Sequence, residues 1–199
     1  MRSYSPTTAA YFARRGPILA HVLVWLSAKN RSTGATETIG FWTGDDHADF
    51  VIDGQTRTYY GAGAALGVDP IRYQAGLTVR TQRLRLSQVA PEVMLALRGY
   101  EPRHAPVEIH RALFDPETHA LIDTPHRVFK GFVDKAPIPT PVKGGKATLE
   151  LTIASAARAL TVPLSRKRSD ASLRARSAGD AFRQYASMAD KVETLWGRK

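Results

Sequence analysis

Apolar and polar residues alternate with a period of two along much of this chain, and that pattern predicts strands. Residues 147–154 are the cleanest case: Ala147, Leu149, Leu151 and Ile153 fall on one side, Thr148, Glu150 and Thr152 on the other. Residues 77–87 behave alike, with Leu84 and Leu86 opposed to Arg83 and Arg85. Further strands are predicted over 36–43, 107–114 and 127–134. Residues 18–28 differ, because both faces are apolar: Ile18, Ala20, Val22, Val24 and Leu26 on one, Leu19, His21, Leu23 and Trp25 on the other. Such a strand is expected to be covered twice, by a core within and a neighbour without.

Turn chemistry separates these runs. Asp53-Gly54 lies between 50–52 and 55–60, and predicts a two-residue hairpin because both of its central positions need a positive φ. Asp115-Pro116-Glu117-Thr118 predicts a second hairpin, joining 107–114 to Leu121 and Ile122. Short helices are predicted over 7–15, stopped by Gly16-Pro17, and over 90–97, with Pro91 in the first turn and Gly99 at the end. The spacing of strands and turns predicts a mainly β fold, a barrel or sandwich carrying one or two short helices. After Ala154 the alternation fades. Residues 165–177 are polar and basic and predict an extended arm, and the weak spacing of Phe182, Tyr185 and Met188 predicts a short helix that packs only against something else. The chain thus reads as an N-terminal helix or arm (1–16), a β domain (17–160) and a basic C-terminal assembly arm (161–199).

Composition narrows the picture. A chain of 199 residues with 43% hydrophobic content can bury a core. The absence of cysteine excludes disulfides, thiolate metal sites and iron–sulfur clusters. The longest apolar run, 17–26, is broken by His21 and is too short to span a bilayer, so no membrane insertion is expected. It also lacks a cleavage site of signal-peptide type, which predicts synthesis in the cytoplasm without a signal. The net charge is +10, and residues 161–199 carry nine Lys/Arg against four Asp/Glu, so half of the excess sits in the last fifth of the chain. A basic tail suits either an anionic partner such as nucleic acid or a solvated arm on a neighbouring subunit, the second being the plainer reading.

Candidate chemistry is sparse. Gly61, Gly63 and Gly67 are spaced GxGxxxG, unlike the dinucleotide fingerprint, and Val68-Asp69-Pro70 follows where a helix should open, so a plain loop is expected. Asp45, Asp46, His47 and Asp49 could ligate a divalent ion, but the distal Glu of a calcium loop is missing and a solvated loop is expected. His21, His104, His110, His119 and His126 show no paired metal spacing, and His110 with Glu108 reads as a cross-strand surface pair. Asp115 and Glu117 suit a turn better than acid–base work. No Gly-x-Ser-x-Gly elbow and no GK[ST] occurs. These readings predict no catalytic, cofactor-binding or metal residues, and no enzyme. Arg80, Arg83, Arg85 and Arg98, with Tyr73 and Tyr100, could form a basic aromatic surface for nucleic acid, against a plainer reading as a solvated face with inter-subunit pairs.

Several stretches taken in order resemble the tail-tip or baseplate hub proteins of siphophages and of gene transfer agents. They are Phe41-Trp42-Thr43-Gly44 leading into Phe50-Val51-Ile52-Asp53-Gly54, then Thr58-Tyr59-Tyr60-Gly61, then Tyr73-Gln74-Ala75-Gly76-Leu77-Thr78-Val79. Residues 87–100 (SQVAPEVMLALRGY), 105–114 (APVEIHRALF) and 129–134 (FKGFVD) continue the series, and 168–185 is similar to the family's end. The resemblance implies a tail-tube-like β-barrel hub domain and a virion structural protein of the phage tail tip. It implies a homo-oligomeric ring, with a trimer favoured, placed between the distal tail protein and the central fibre protein. DNA in the lumen would be a transient contact. A distal-tail ring subunit and a basic nucleic-acid-binding module are the alternatives, followed by an enzyme acting on the cell wall. The cysteine-rich domain of some relatives is not implied, since this chain has no cysteine.

Overall fold

The alternating segments form strands in a computed structural model that describes residues 4–72, 78–87, 99–137, 148–161, 168–186, 188, 191 and 197. Two compact units result, Met1–Ala159 and Leu160–Lys199.

In the first unit, helix α1 (Pro6–Ala13) precedes β1 (Leu19–Asn30), β2 (Thr36–Trp42), β3 (Ala48–Ile52), β4 (Gln55–Gly61), β5 (Leu66–Val68) and β6 (Thr81–Ser87). β7 (Tyr100–Glu101), β8 (Pro106–Phe114), β9 (His126–Lys135) and β10 (Thr148–Ser155) follow. The protein is therefore mainly β. The described strands make one mixed sheet in the order β3-β4-β2-β1-β8-β9-β10-β6-β5, with β7 beside β1. Neighbours are antiparallel except β2 and β4, which run parallel. The path is open, ending at β3 and β5.

One face of the sheet curls around a single large core. Val24, Leu26 and Phe41 from one arm of the path meet Leu66, Leu84, Leu86, Leu149, Leu151 and Ile153 from the other, with Val107, Ile109 and Val133 between them. At about 1.5–3 kcal/mol for each fully buried aliphatic side chain, this core is the main stabilising term of the unit. The alternation of β10 explains its place: Leu149, Leu151 and Ile153 are buried while Glu150 pairs with Arg83 on the outer face.

The reverse face of β1 is also covered, fully at Leu23 and partly at Leu19, His21 and Trp25, but its cover comes from this same chain. Leu23, Phe50, Ile52, Tyr59 and Ala112 form a second core, packed by Trp25, Trp42 and Phe114. The β3–β4 hairpin supplies Phe50, Ile52 and Tyr59, so on this face the expected neighbour is an intramolecular hairpin. Its turn is formed by Asp53 (φ 52°) and Gly54 (φ 76°), the two positive values that a type I′ turn requires. Ile18, assigned from its period to the larger core's face, lies outside β1 and is exposed.

Other differences have local causes. α1 is capped by Ser5, whose hydroxyl accepts from the Thr8 N–H at 3.1 Å, while Asp123 accepts from the hydroxyls of both Ser5 and Thr8. The glycine-rich stretch contains a 3-10 turn (Gly63–Ala65) and then β5, where a loop was expected. A Cβ at Gly61 would lie 2.5 Å from the Asp45 carbonyl oxygen, so this glycine serves close backbone packing. The helix predicted over 90–97 lies outside the described residues.

In the second unit, α2 (Asp170–Arg176) falls inside the segment read as extended. Ser169 caps it, accepting from the Ser172 N–H at 3.3 Å, and Asp170 pairs with Arg174 one turn on at 2.8 Å. A cap and one ion pair one turn apart thus make a helix of residues with little apolar periodicity. Residues 182–186, where a helix was expected, form turns.

Candidate functional site

The densest cluster of polar side chains lies where the β3–β4 hairpin crosses β8. Glu108 is its centre. Its carboxylate accepts from Arg57 of β4 at 3.0 Å and lies 3.3 Å from Arg127 and 3.4 Å from Lys130, both of β9. Arg57 also lies over the Trp25 ring, 5.2 Å from its centroid, and this cation–π contact aims the guanidinium at Glu108.

A β-bulge assembles the cluster. Between β8 and β9, Ile109 pairs with Phe129 but His110 pairs with Arg127, leaving Val128 as the extra residue. Directly opposed residues share a face, so the skipped residue turns Arg127 to the side that carries Glu108, His110 and Lys130. Without the bulge Arg127 would face the other way. Val128 and Phe129 are consequently both buried in the larger core, although consecutive.

Electrostatics follow from this placement. Burial alone would raise the Glu108 carboxyl, but hydrogen bonding from Arg57 and the surrounding cations outweigh it and hold the group below the ordinary carboxylate range. His110 is 1% exposed, not at the surface as its pairing with Glu108 suggested. Its neighbours Leu23 and Ala112 belong to the hairpin-covered core, which a period-two reading of β8 alone does not reveal. Burial pushes the imidazole down to about 4; Glu108, 4.0 Å away, opposes this, and Arg57 and Arg127 add to it. His110 is thus neutral at pH 7, and its Nδ1 has no hydrogen-bond partner among the described residues. Burial pushes the Tyr59 phenol up to about 12. Arg57 moderates that shift, yet the buried hydroxyl makes no hydrogen bond of sound geometry. One ionised carboxylate, one neutral imidazole and one protonated phenol under a hairpin form a clamp that fastens β4 to β8 and β9.

Beside the clamp, β2 and β4 enclose an open cleft of about 600 Å³, with Trp25 and Ser27 as its floor. The residues singled out in the sequence are mostly elsewhere. Asp46 and His47 are exposed and 3.7 Å apart, and His47 packs edge-on against Tyr60 at 4.9 Å. No three His, Asp or Glu side chains converge as metal ligands among the described residues. Asp115 accepts from the Glu117 and Thr118 N–H groups and so closes its turn. His21 contacts the Thr43 hydroxyl at 3.1 Å and packs on Trp42 and Phe114. His104 and His119 occupy left-handed turn positions, and His126 packs against Tyr4.

Three members of the basic aromatic set are engaged by acidic neighbours among the described residues. Arg83 pairs with Glu150 at 3.4 Å, Arg85 with Asp69 at 3.3 Å, and Tyr100 donates to Glu37 at 2.5 Å. Tyr73 and Arg98 lie outside the described residues. In the second unit Phe182, Tyr185 and Met188 are 88%, 69% and 54% exposed, an apolar row in a basic segment.

No protein-family model matches this chain, and no curated protein matches it.

Proposed function

We propose that this protein is a structural component of a long-tailed bacteriophage tail tip, of the baseplate hub type, and not an enzyme. The observation that carries the reading is the exposed row Phe182, Tyr185 and Met188 in the basic second unit. Soluble proteins bury such side chains or use them to bind a partner. The β unit supplies a well-packed body whose polar clusters hold the fold together. The ordered resemblance of 41–44, 50–54, 58–61, 73–79, 87–100, 105–114, 129–134 and 168–185 supplies the tail-tip assignment. In this reading the β unit is a tail-tube-like hub domain. It forms a ring, a trimer by preference, between the distal tail protein and the central fibre protein, and the second unit grips a neighbour on assembly. The site of action is the virion, after synthesis in the host cytoplasm.

Mass spectrometry and gold labelling of purified particles test this. The chain is expected at the tail tip in a fixed copy number. Its presence in infected cytosol, with none in particles, would overturn the assignment.

A second reading, a nucleic-acid-binding module, is favoured by the +10 charge. It requires affinity for DNA or RNA that falls steeply with salt and is lost on removing residues 161–199. The second unit carries half of the excess charge in a fifth of the chain, which makes it the segment to remove first.

A further inference from the structure

β2 and β4 run parallel but pair only at Phe41–Tyr60 and Trp42–Gly61. Toward their N-terminal ends they splay, and the cleft opens between them. Thr38, Ile39 and residues 55–58 line its walls, the positions that would pair if the ladder continued.

The direction of each main-chain group in the cleft follows from the bonds around it. The Thr43 N–H donates to the Val22 carbonyl at 3.0 Å and the Asn30 N–H to the Ala35 carbonyl at 2.8 Å. Odd-numbered residues of β2 therefore turn their main chain toward β1, and even-numbered ones toward β4. Consistently, the Ala62 N–H donates to the Trp42 carbonyl at 2.9 Å. In β4 the two-residue turn makes Ile52 and Gln55 the closing pair, so odd-numbered residues bond to β3 and even-numbered ones face β2. The main-chain groups of Thr38 on one wall, and of Thr56 and Thr58 on the other, have no ladder partner on the cleft side among the described residues, nor do those of Thr36 just beyond the lining. Thr36 to Gly40 spans roughly 14 Å of strand.

Natural edge strands are blunted with charged side chains, lysine above all, or with proline. Neither lysine nor proline occurs in 36–40 or 55–60, and the charged residues there, Glu37 and Arg57, are engaged by Tyr100 and by Glu108. Tyr59 props the cleft open at its closed end: a Cβ at Gly40 would lie 2.7 Å from both the Tyr59 and Trp25 rings, so those rings occupy the space above Gly40. Among the described residues, Arg57 is the one cation on the walls and is held by Glu108 at 3.0 Å, and no acidic side chain lines the cleft.

We propose that this cleft accepts an extended, uncharged strand of a partner polypeptide, which bonds through its main chain to the even-numbered residues of β2 and β4 together. Unpaired N–H and C=O groups at strand spacing on two facing walls select a chain with the same repeat of donors and acceptors. The missing charge selects against ionic ligands. This inference stands apart from the tail-tip reading.

The test uses the full ¹⁵N-labelled chain and a capped hexapeptide of alternating Thr and Val, followed by amide shifts and Trp25 fluorescence. Saturable shifts are expected at residues 36–40 and 55–60. The same peptide N-methylated at alternate residues is expected to bind at least tenfold more weakly. Thr58→Pro removes one cleft-facing N–H and no β3 bond, and is expected to weaken binding tenfold with the thermal midpoint kept. Thr38→Pro, or the N-methylated peptide on the native chain, decides the matter if Thr58→Pro misfolds. Three results overturn the proposal: no saturable shift at millimolar peptide, equal binding of the N-methylated peptide, or shifts at these residues with maltotriose and not with peptide. Self-association in the absence of peptide, abolished by Thr58→Pro, overturns the choice of occupant in favour of a second copy.

Discussion

His110 sits where only its neutral form is tolerated, and this gives stability a pH dependence with a definite sign. Burial holds its folded pKa at about 4, well below the ordinary imidazole value of about 6.5. As pH falls from 6.5 toward 4, the unfolded chain binds a proton that the folded chain refuses, so stability falls by about 1.4 kcal/mol per pH unit in that window. Glu108, held below its ordinary range, acts in the same direction: its contribution is present above the carboxylate range and lost as pH drops through it. Urea unfolding at pH 7 and pH 5 is expected to show the loss, and His110→Gln to flatten it between those values; an unchanged slope in the variant would exclude His110 as the source. The clamp makes a second, opposed pair of expectations. Glu108→Gln leaves the half-buried Arg57 without its counter-charge and should destabilise by about 3 kcal/mol. Tyr59→Phe removes a buried hydroxyl that makes no hydrogen bond of sound geometry among the described residues, and should be neutral or stabilising by up to about 1 kcal/mol. Denaturant midpoints of the two variants check both. The sequence could not single out these residues. Glu108, His110 and Tyr59 are ordinary strand residues by period, and their chemistry arises from one skipped residue at Val128 and from a hairpin folding over them.

Elements defined by local rules were the most legible. The Asp53-Gly54 turn and the β10 alternation are written in residues next to one another in sequence, and each has its expected form. Gly54→Ala forces an L side chain into φ 76° and should cost about 1 kcal/mol, read as a shift in the unfolding midpoint. It should also loosen the hairpin over the second core, seen as faster amide exchange at Phe50 and Tyr59 before exchange rises in β10. Less legible were β5 and β7, three and two residues long, which exist only because β6 and β1 offer edges for them to pair with. α2 was missed for the opposite reason. Its signals, a Ser169 cap and an Asp170–Arg174 pair, are polar, while apolar periodicity was the guide.

At the level of the whole molecule, the two units have different demands. The first carries both cores, so a chain ending at Ala159 is expected to unfold cooperatively with a midpoint within a few degrees of the full protein. On the proposed tail-tip reading, incorporation of the shortened chain into particles should be lost, because the row Phe182, Tyr185 and Met188 is gone. Composition and alternation were enough to specify a β-rich body, its principal strands and a basic end, because strand formation and net charge are summed from local residue properties. Which strands became neighbours, that β2 and β4 would run parallel and then part, and that the second face of β1 would be covered from within were settled in three dimensions. Those outcomes depend on loop paths and on a bulge that shifts register by one residue, and a period of two carries no record of either.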